Sequence, residues 1–153
     1  MTATIQKRVR IFAIATLVAC TSCASSQTLR PFTTDGCSRF PDGTLSQRVL
    51  WKHCCLEHDK AYWRGGTRDE RRDADSELGQ CVGEVQDATL GFLMSKGVRV
   101  GGSPWWPTSY RWGYGWPYGR GYRALSDEDR GRADDASSIS EVNASRPGGD
   151  ESQ

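Results

Sequence analysis

His58 and Asp59 are the neighbouring residues in this chain whose types could do chemistry, set within Trp51-Lys52-His53-Cys54-Cys55-Leu56-Glu57-His58-Asp59-Lys60-Ala61-Tyr62. If the stretch is helical, Trp51, Cys54/Cys55, His58 and Tyr62 fall three, four and seven residues apart and share one face. Asp59 then turns about 100° further, to the edge of that face. A histidine held on a packed face with a carboxylate beside it is a candidate base with a candidate metal ligand attached. The plainer alternatives are a satisfied core histidine and a solvated helix carboxylate. His53 reads as a surface residue.

Two helices must position these groups. The first is expected from Leu45 to Arg64, with Thr44 and Gln47 as a capping box and Gly65-Gly66 as the stop. Thr67-Arg68-Asp69-Glu70 forms a second capping box. A long apolar stripe follows through Ala74, Leu78, Cys81/Val82, Val85 and Ala88/Thr89, with Asp75 lying in it. This helix should end near Gly97, or at latest at Gly101-Gly102. Only Gly65-Gly66-Thr67 separates the two helices, so they should fold back as an antiparallel hairpin. Gly79, Gly83 and Gly91 either weaken the second helix or allow the first to approach closely.

The 153 residues suggest one domain, and a formal net charge of +1 argues against a nucleic-acid binder driven by bulk charge. Residues 1–24 read as an export signal: Lys7, Arg8 and Arg10 precede a short apolar run, Ile11 to Ala19. That run falls short of the about 20 residues a spanning helix needs. It ends in Leu17-Val18-Ala19-Cys20, which resembles a lipobox with Cys20 as the lipid-carrying first mature residue. Cleavage after Ala24 is the competing reading, and both send the chain to an oxidising compartment: the cell envelope, or the medium if the lipobox is not used. Setting aside Cys20 and Cys23 leaves four of the six cysteines, enough for two disulfides in three possible connectivities.

The pattern Cys54-Cys55-x-x-His58-Asp59-x-x-Tyr62 resembles the C-C-x-x-H-D-x-C-Y signature of secreted phospholipase A2. The second helix continues the match, since the family carries an aspartate six residues before a cysteine and this chain has Asp75 and Cys81. The resemblance covers about the middle third of the chain. It implies disulfides Cys54–Cys81 and Cys37–Cys55, with Ala61 and Ala74 replacing both members of a further family bridge. It also implies calcium held by Asp59 and by the carbonyls of Gly36, Ser38 and Phe40. Where the family's loop is glycine-rich, this one carries Ser38-Arg39-Phe40-Pro41.

If Cys54 bonds Cys81, His58 and Asp75 lie about 6 and 9 Å from the bridge in the same direction, at nearly one level. Asp75 would then orient His58, whose other nitrogen accepts a proton from water, with Tyr62 as a supporting hydrogen-bond partner to Asp75. The activity implied is calcium-dependent hydrolysis of the sn-2 ester of a glycerophospholipid at a membrane surface. The rival is a non-catalytic envelope lipoprotein that uses the same scaffold to bind lipid or a cell-wall partner. Zinc ligation by Cys54, Cys55 and His58 is disfavoured, because adjacent helical cysteines point about 100° apart.

The expected fold is all-α: a small disulfide-stapled antiparallel two-helix core with a calcium-type loop, spanning residues 25–102. Residues 103–124 form an irregular aromatic segment containing Trp105, Trp106, Trp112 and Trp116. It could cover the open side of the core, sit at a membrane interface or stack on wall sugars. Residues 125–153 carry eight acidic and three basic residues and are expected to be a disordered solvating tail. Oligomeric state is left open.

Overall fold

The computed structural model describes residues 28–145, so the export signal, both cleavage readings and Cys20 lie outside the described residues. Four helices and no strands make up the described chain: α1 (Lys52–Arg64), α2 (Arg68–Val85), α3 (Ala88–Gly101) and α4 (Asp127–Ser145). The chain is all-α and carries two disulfides, Cys37–Cys55 and Cys54–Cys81.

α1 starts seven residues later than Leu45. The Thr44 hydroxyl does accept from the Gln47 amide at 3.0 Å, but the Thr44 amide donates to the Gln47 carbonyl, closing a local turn. Trp51 is then tied backward, its amide to the Asp42 carbonyl and its indole to the Pro41 carbonyl. Leu45 and Val49 consequently stay in solvent.

The expected long second helix is two helices. Asp87 adopts an extended conformation and its carboxylate accepts from the Thr89 and Leu90 amides, each at 2.9 Å, starting α3 afresh. α3 folds back antiparallel along α2, so the core is built from three helices. The glycines serve this second hairpin and not α1: a Cβ on Gly91 would lie 2.1 Å from the Gly79 carbonyl oxygen. α2 itself begins with the expected capping box, the Thr67 and Glu70 side chains each bonding the other's amide.

α1 and α2 run antiparallel, and Trp51, Cys54, Cys55, Leu78, Val82 and Met94 pack where the three helices meet. Tyr62, Ala74 and Trp112 form a second cluster at the other end. The aromatic segment closes the C-terminal end of α1. A helix leaves its last four carbonyls without helical partners. Here Ala61 receives the Gly65 amide, Tyr62 the Gly113 amide, Trp63 the Gly115 amide and Arg64 the Trp116 indole. Gly115 permits that approach, since a Cβ there would lie 2.7 Å from the Trp63 carbonyl oxygen. Trp63, Trp112 and Trp116 are buried, and truncating such a ring costs about 3–5 kcal/mol. Trp105 and Trp106 remain more than half exposed.

The expectation of a disordered tail is overturned for Asp127–Ser145, which form α4. Ser126 accepts from the Asp129 amide, and three acidic residues occupy the first turn, where the helix dipole favours them. Asp129 pairs with Arg120 at 2.6 Å and with Arg132, and both guanidiniums lie over the Trp116 ring. Asp134 pairs with Arg64, and Ala133 is fully buried. Ion pairs and a small buried contact hold this helix, so its sequence shows no apolar stripe.

Candidate active site

Cys54 and Cys55 fix α1 from two sides. Cys54–Cys81 ties it to α2, and Cys37–Cys55 ties it to the loop before it. All four sulfurs are thereby used, which removes the zinc reading of Cys54, Cys55 and His58. It equally disposes of the cluster His53, Cys54 and Cys81, whose two sulfurs are one disulfide.

One turn beyond the Cys54 bridge, His58 Nε2 lies 3.3 Å from Asp75 Oδ1. Both side chains are buried, Asp75 to 1% exposure. The Asp75 carboxylate is heavily bonded: Tyr62 donates its hydroxyl to Oδ1 at 2.6 Å and Arg99 donates Nε to Oδ2 at 3.1 Å. Burial works against its charge, but the bonds from His58 and Tyr62 and the nearby Arg71 more than offset it and hold its pKa below the ordinary value. Burial, with the Asp75 charge beside it, drives the Tyr62 phenol well above its usual range. A carboxylate on Nε2 selects the tautomer protonated there. Nδ1, which has no hydrogen-bond partner among the described residues, is then the basic nitrogen.

Two arginines complete this network. Arg71, buried on α2, donates Nε to the Tyr62 hydroxyl at 3.0 Å and Nη1 to the Tyr122 hydroxyl at 2.6 Å. Its Nη2 serves the Val98 and Arg99 carbonyls near the end of α3. Arg71 thus ties α1, α2, α3 and the aromatic segment through one guanidinium. Neither Arg71 nor Arg99 was foreseen from sequence. Arg71 had a signal, because it stands four residues before Asp75 on the buried stripe of α2.

His58 and Asp59 open onto a cleft of about 290 Å³. Its walls include Leu78, Leu93, Met94 and Val98, with Gly36, Ser38 and Phe40 at its loop side. Asp59 accepts the Thr34 hydroxyl on Oδ2 at 2.7 Å. Its pKa is raised to about 6, chiefly by burial; the Thr34 bond and His58 lower it, and Asp35 and Asp42 add to the rise. Gly36 and Ser38 both take left-handed backbone conformations. Asp42 braces the turn by accepting the Cys37 amide at 2.8 Å. The Cys37 carbonyl is used by the Phe40 amide, whereas those of Gly36, Ser38 and Phe40 accept no hydrogen bond among the described residues. Gly36, Ser38 and Phe40 line the same cleft as the partly desolvated Asp59, and their carbonyls with its carboxylate would make an all-oxygen donor set. That chemistry fits a hard cation such as calcium.

The candidate catalytic, supporting and calcium-site residues read from sequence line or support one cleft: His58, Asp59 and Tyr62 from α1, Asp75 from α2, and Gly36, Ser38 and Phe40 from the loop. Tyr114, from the aromatic segment, is a further support, donating to the Asp59 and Thr33 carbonyls at 3.2 and 2.7 Å. Compared with models of protein families, with curated proteins and with solved structures, the chain matches none.

Proposed function

We propose that this protein is a phospholipase A2-like carboxylic ester hydrolase that cleaves the sn-2 ester of glycerophospholipids with calcium. One observation carries the reading: a buried His58–Asp75 pair opens onto an apolar cleft lined also by Asp59 and by Gly36, Ser38 and Phe40, whose carbonyls accept no hydrogen bond among the described residues. His58 keeps its Nε2 proton and donates it in a hydrogen bond to Asp75, which orients the ring. Nδ1 takes a proton from water as that water's oxygen attacks the ester carbonyl, and His58 then returns the proton to the departing alcohol. When bound by Asp59 and the carbonyls of Gly36, Ser38 and Phe40, calcium supplies Lewis-acid polarisation of the ester carbonyl. Leu78, Leu93, Met94 and Val98 give an acyl chain an apolar wall and keep bulk water from the reacting ester. The two disulfides suit an exported protein acting at a membrane surface, anchored through Cys20 or secreted after Ala24.

The test is fatty-acid release from phospholipid micelles by the oxidised protein, with calcium or with chelator. His58→Gln and Asp59→Asn run beside it. Release should require calcium and fall about a hundredfold or more in both variants, the lower range for a lost general base. A folded, oxidised protein that binds micelles and releases nothing is instead a lipid-binding module, and the catalytic reading is then rejected.

A further inference from the structure

We infer that the cleft between residues 30–33 and the aromatic segment is a binding site for a phosphate group, separate from the candidate active site. It measures about 610 Å³, and its lining includes Arg30, Arg111, Thr33, Thr108, Ser109 and Tyr118. It shares no lining residue with the cleft that holds His58.

The charge on its wall is one-sided. Arg30 and Arg111 are its charged lining residues, and no carboxylate lines it. Arg111 is nearly buried, and its guanidinium donates to the Gly113 and Trp116 carbonyls at 2.6 Å each and to the Trp112 carbonyl at 3.4 Å. Those acceptors fix its orientation and leave its charge uncompensated. Burial lowers the Arg111 pKa, and the Arg30 charge lowers it further, so the two cations act on each other. Arg30 is rigid at its backbone, with its amide on the Gly115 carbonyl and its own carbonyl on the Trp63 indole, both at 2.8 Å. Its side chain has no hydrogen-bond or ion-pair partner among the described residues. The Thr108 hydroxyl is enclosed within this wall and has no hydrogen bond among the described residues.

The Arg111 guanidinium held by its carbonyls, the Arg30 side chain beside it and the hydroxyls of Thr33 and Ser109 offer a tetrahedral oxyanion paired charge and several donors at once. An anion seated there offsets the repulsion between the arginines. Phosphate fits that chemistry, either as the free ion or as the phosphodiester of a lipid headgroup.

The experiment is calorimetric titration of the full oxidised chain with inorganic phosphate and, separately, with glycerophosphocholine at matched ionic strength. Saturable binding of one molecule per chain is expected for at least one probe, weakened about tenfold or more in Arg30→Gln, the scale of a lost charge-assisted contact. Arg30→Gln keeps both backbone bonds, so it tests the site even if Arg111→Gln does not fold. Preference for glycerophosphocholine assigns the site to a headgroup, and preference for inorganic phosphate assigns it to the free ion; each supports the inference. Absence of saturable binding by both probes overturns it, as does equal affinity in wild type and Arg30→Gln. Neither readout depends on ester hydrolysis.

Discussion

Tyr62→Phe removes one oxygen and keeps the ring that packs edge-on against Trp112 and 4.1 Å from the His58 ring. The lost hydroxyl donates to Asp75 Oδ1 at 2.6 Å and accepts from Arg71 Nε at 3.0 Å. Hydrogen bonds to charged groups contribute about 1.5–3 kcal/mol each, and here one hydroxyl serves both a carboxylate and a guanidinium. The survivors keep partners: Asp75 retains His58 and Arg99, and Arg71 retains Tyr122 and two carbonyls. The expected loss at neutral pH is therefore about 2–3 kcal/mol and not the sum of two full bonds.

The pH dependence of that difference follows from Asp75. Its folded pKa is depressed, so its contribution is complete above the unfolded value and is lost as pH falls through the folded one. The gap between wild type and Tyr62→Phe should thus hold from neutral pH down to about 4, near the unfolded aspartate value, and narrow below it. Urea unfolding of both oxidised proteins across that range measures it. A gap under about 0.5 kcal/mol at pH 7, within the scatter of ordinary surface substitutions, would refute the network argument, as would a gap that widens in acid. Hydrolysis, in the proposed scheme, should fall by less than tenfold in Tyr62→Phe, because His58 keeps Asp75; Asp75→Asn should cost about a hundredfold or more.

Replacing Cys54 and Cys81 together by alanine opens a closure of 27 residues and should cost about 3.5 kcal/mol in chemical denaturation. A loss under about 1 kcal/mol would mean the unfolded chain is already restrained there. Gly91→Ala drives a methyl into the Gly79 carbonyl and should destabilise by about 1–3 kcal/mol despite the better helix propensity of alanine. Gly97→Ala meets no atom within 4 Å on the same helix and should stabilise by about 0.4–1 kcal/mol. Equal signs for these two in thermal melts would disprove close α2–α3 contact. Thr67→Ala removes half of the α2 capping box and should cost about 1 kcal/mol, read from the same melts.

Much of the site was legible because it depends on short-range geometry. Residues 54, 55, 58 and 62 share a face on any helix, and a three-residue link to α2 leaves room only for a hairpin. The start of α1 was not legible, since the Thr44–Gln47 hydrogen bond serves an N-cap and a local turn equally well. The break at Asp87 was hidden by an apolar stripe that runs through it from Val85 to Ala88; the readable sign was the N-capping aspartate. Arg99 reaches Asp75 only because α3 turns back, so no local pattern could have announced it. α4 escaped notice for a different reason: it rests on arginines contributed by the aromatic segment and by α1, while its own composition resembles that of a solvated tail.

The adjacency of Cys54 and Cys55 poses a sorting problem during oxidation. In the unfolded chain Cys37 can reach either one, across 17 or 18 residues, and the closure entropies of the two loops differ by only about 0.05 kcal/mol. Chance encounter therefore cannot choose between them. The choice falls to the twist of α1, which turns neighbouring sulfurs about 100° apart, one toward the loop and one toward α2. Correct pairing then reports that this turn of helix has formed. Oxidation ahead of the helix should trap both isomers in near-equal amounts, and the swapped one cannot bring His58 to Asp75. For this protein a thiol–disulfide isomerase would act as an editor of helix register, and mispaired chains should accumulate where it is missing.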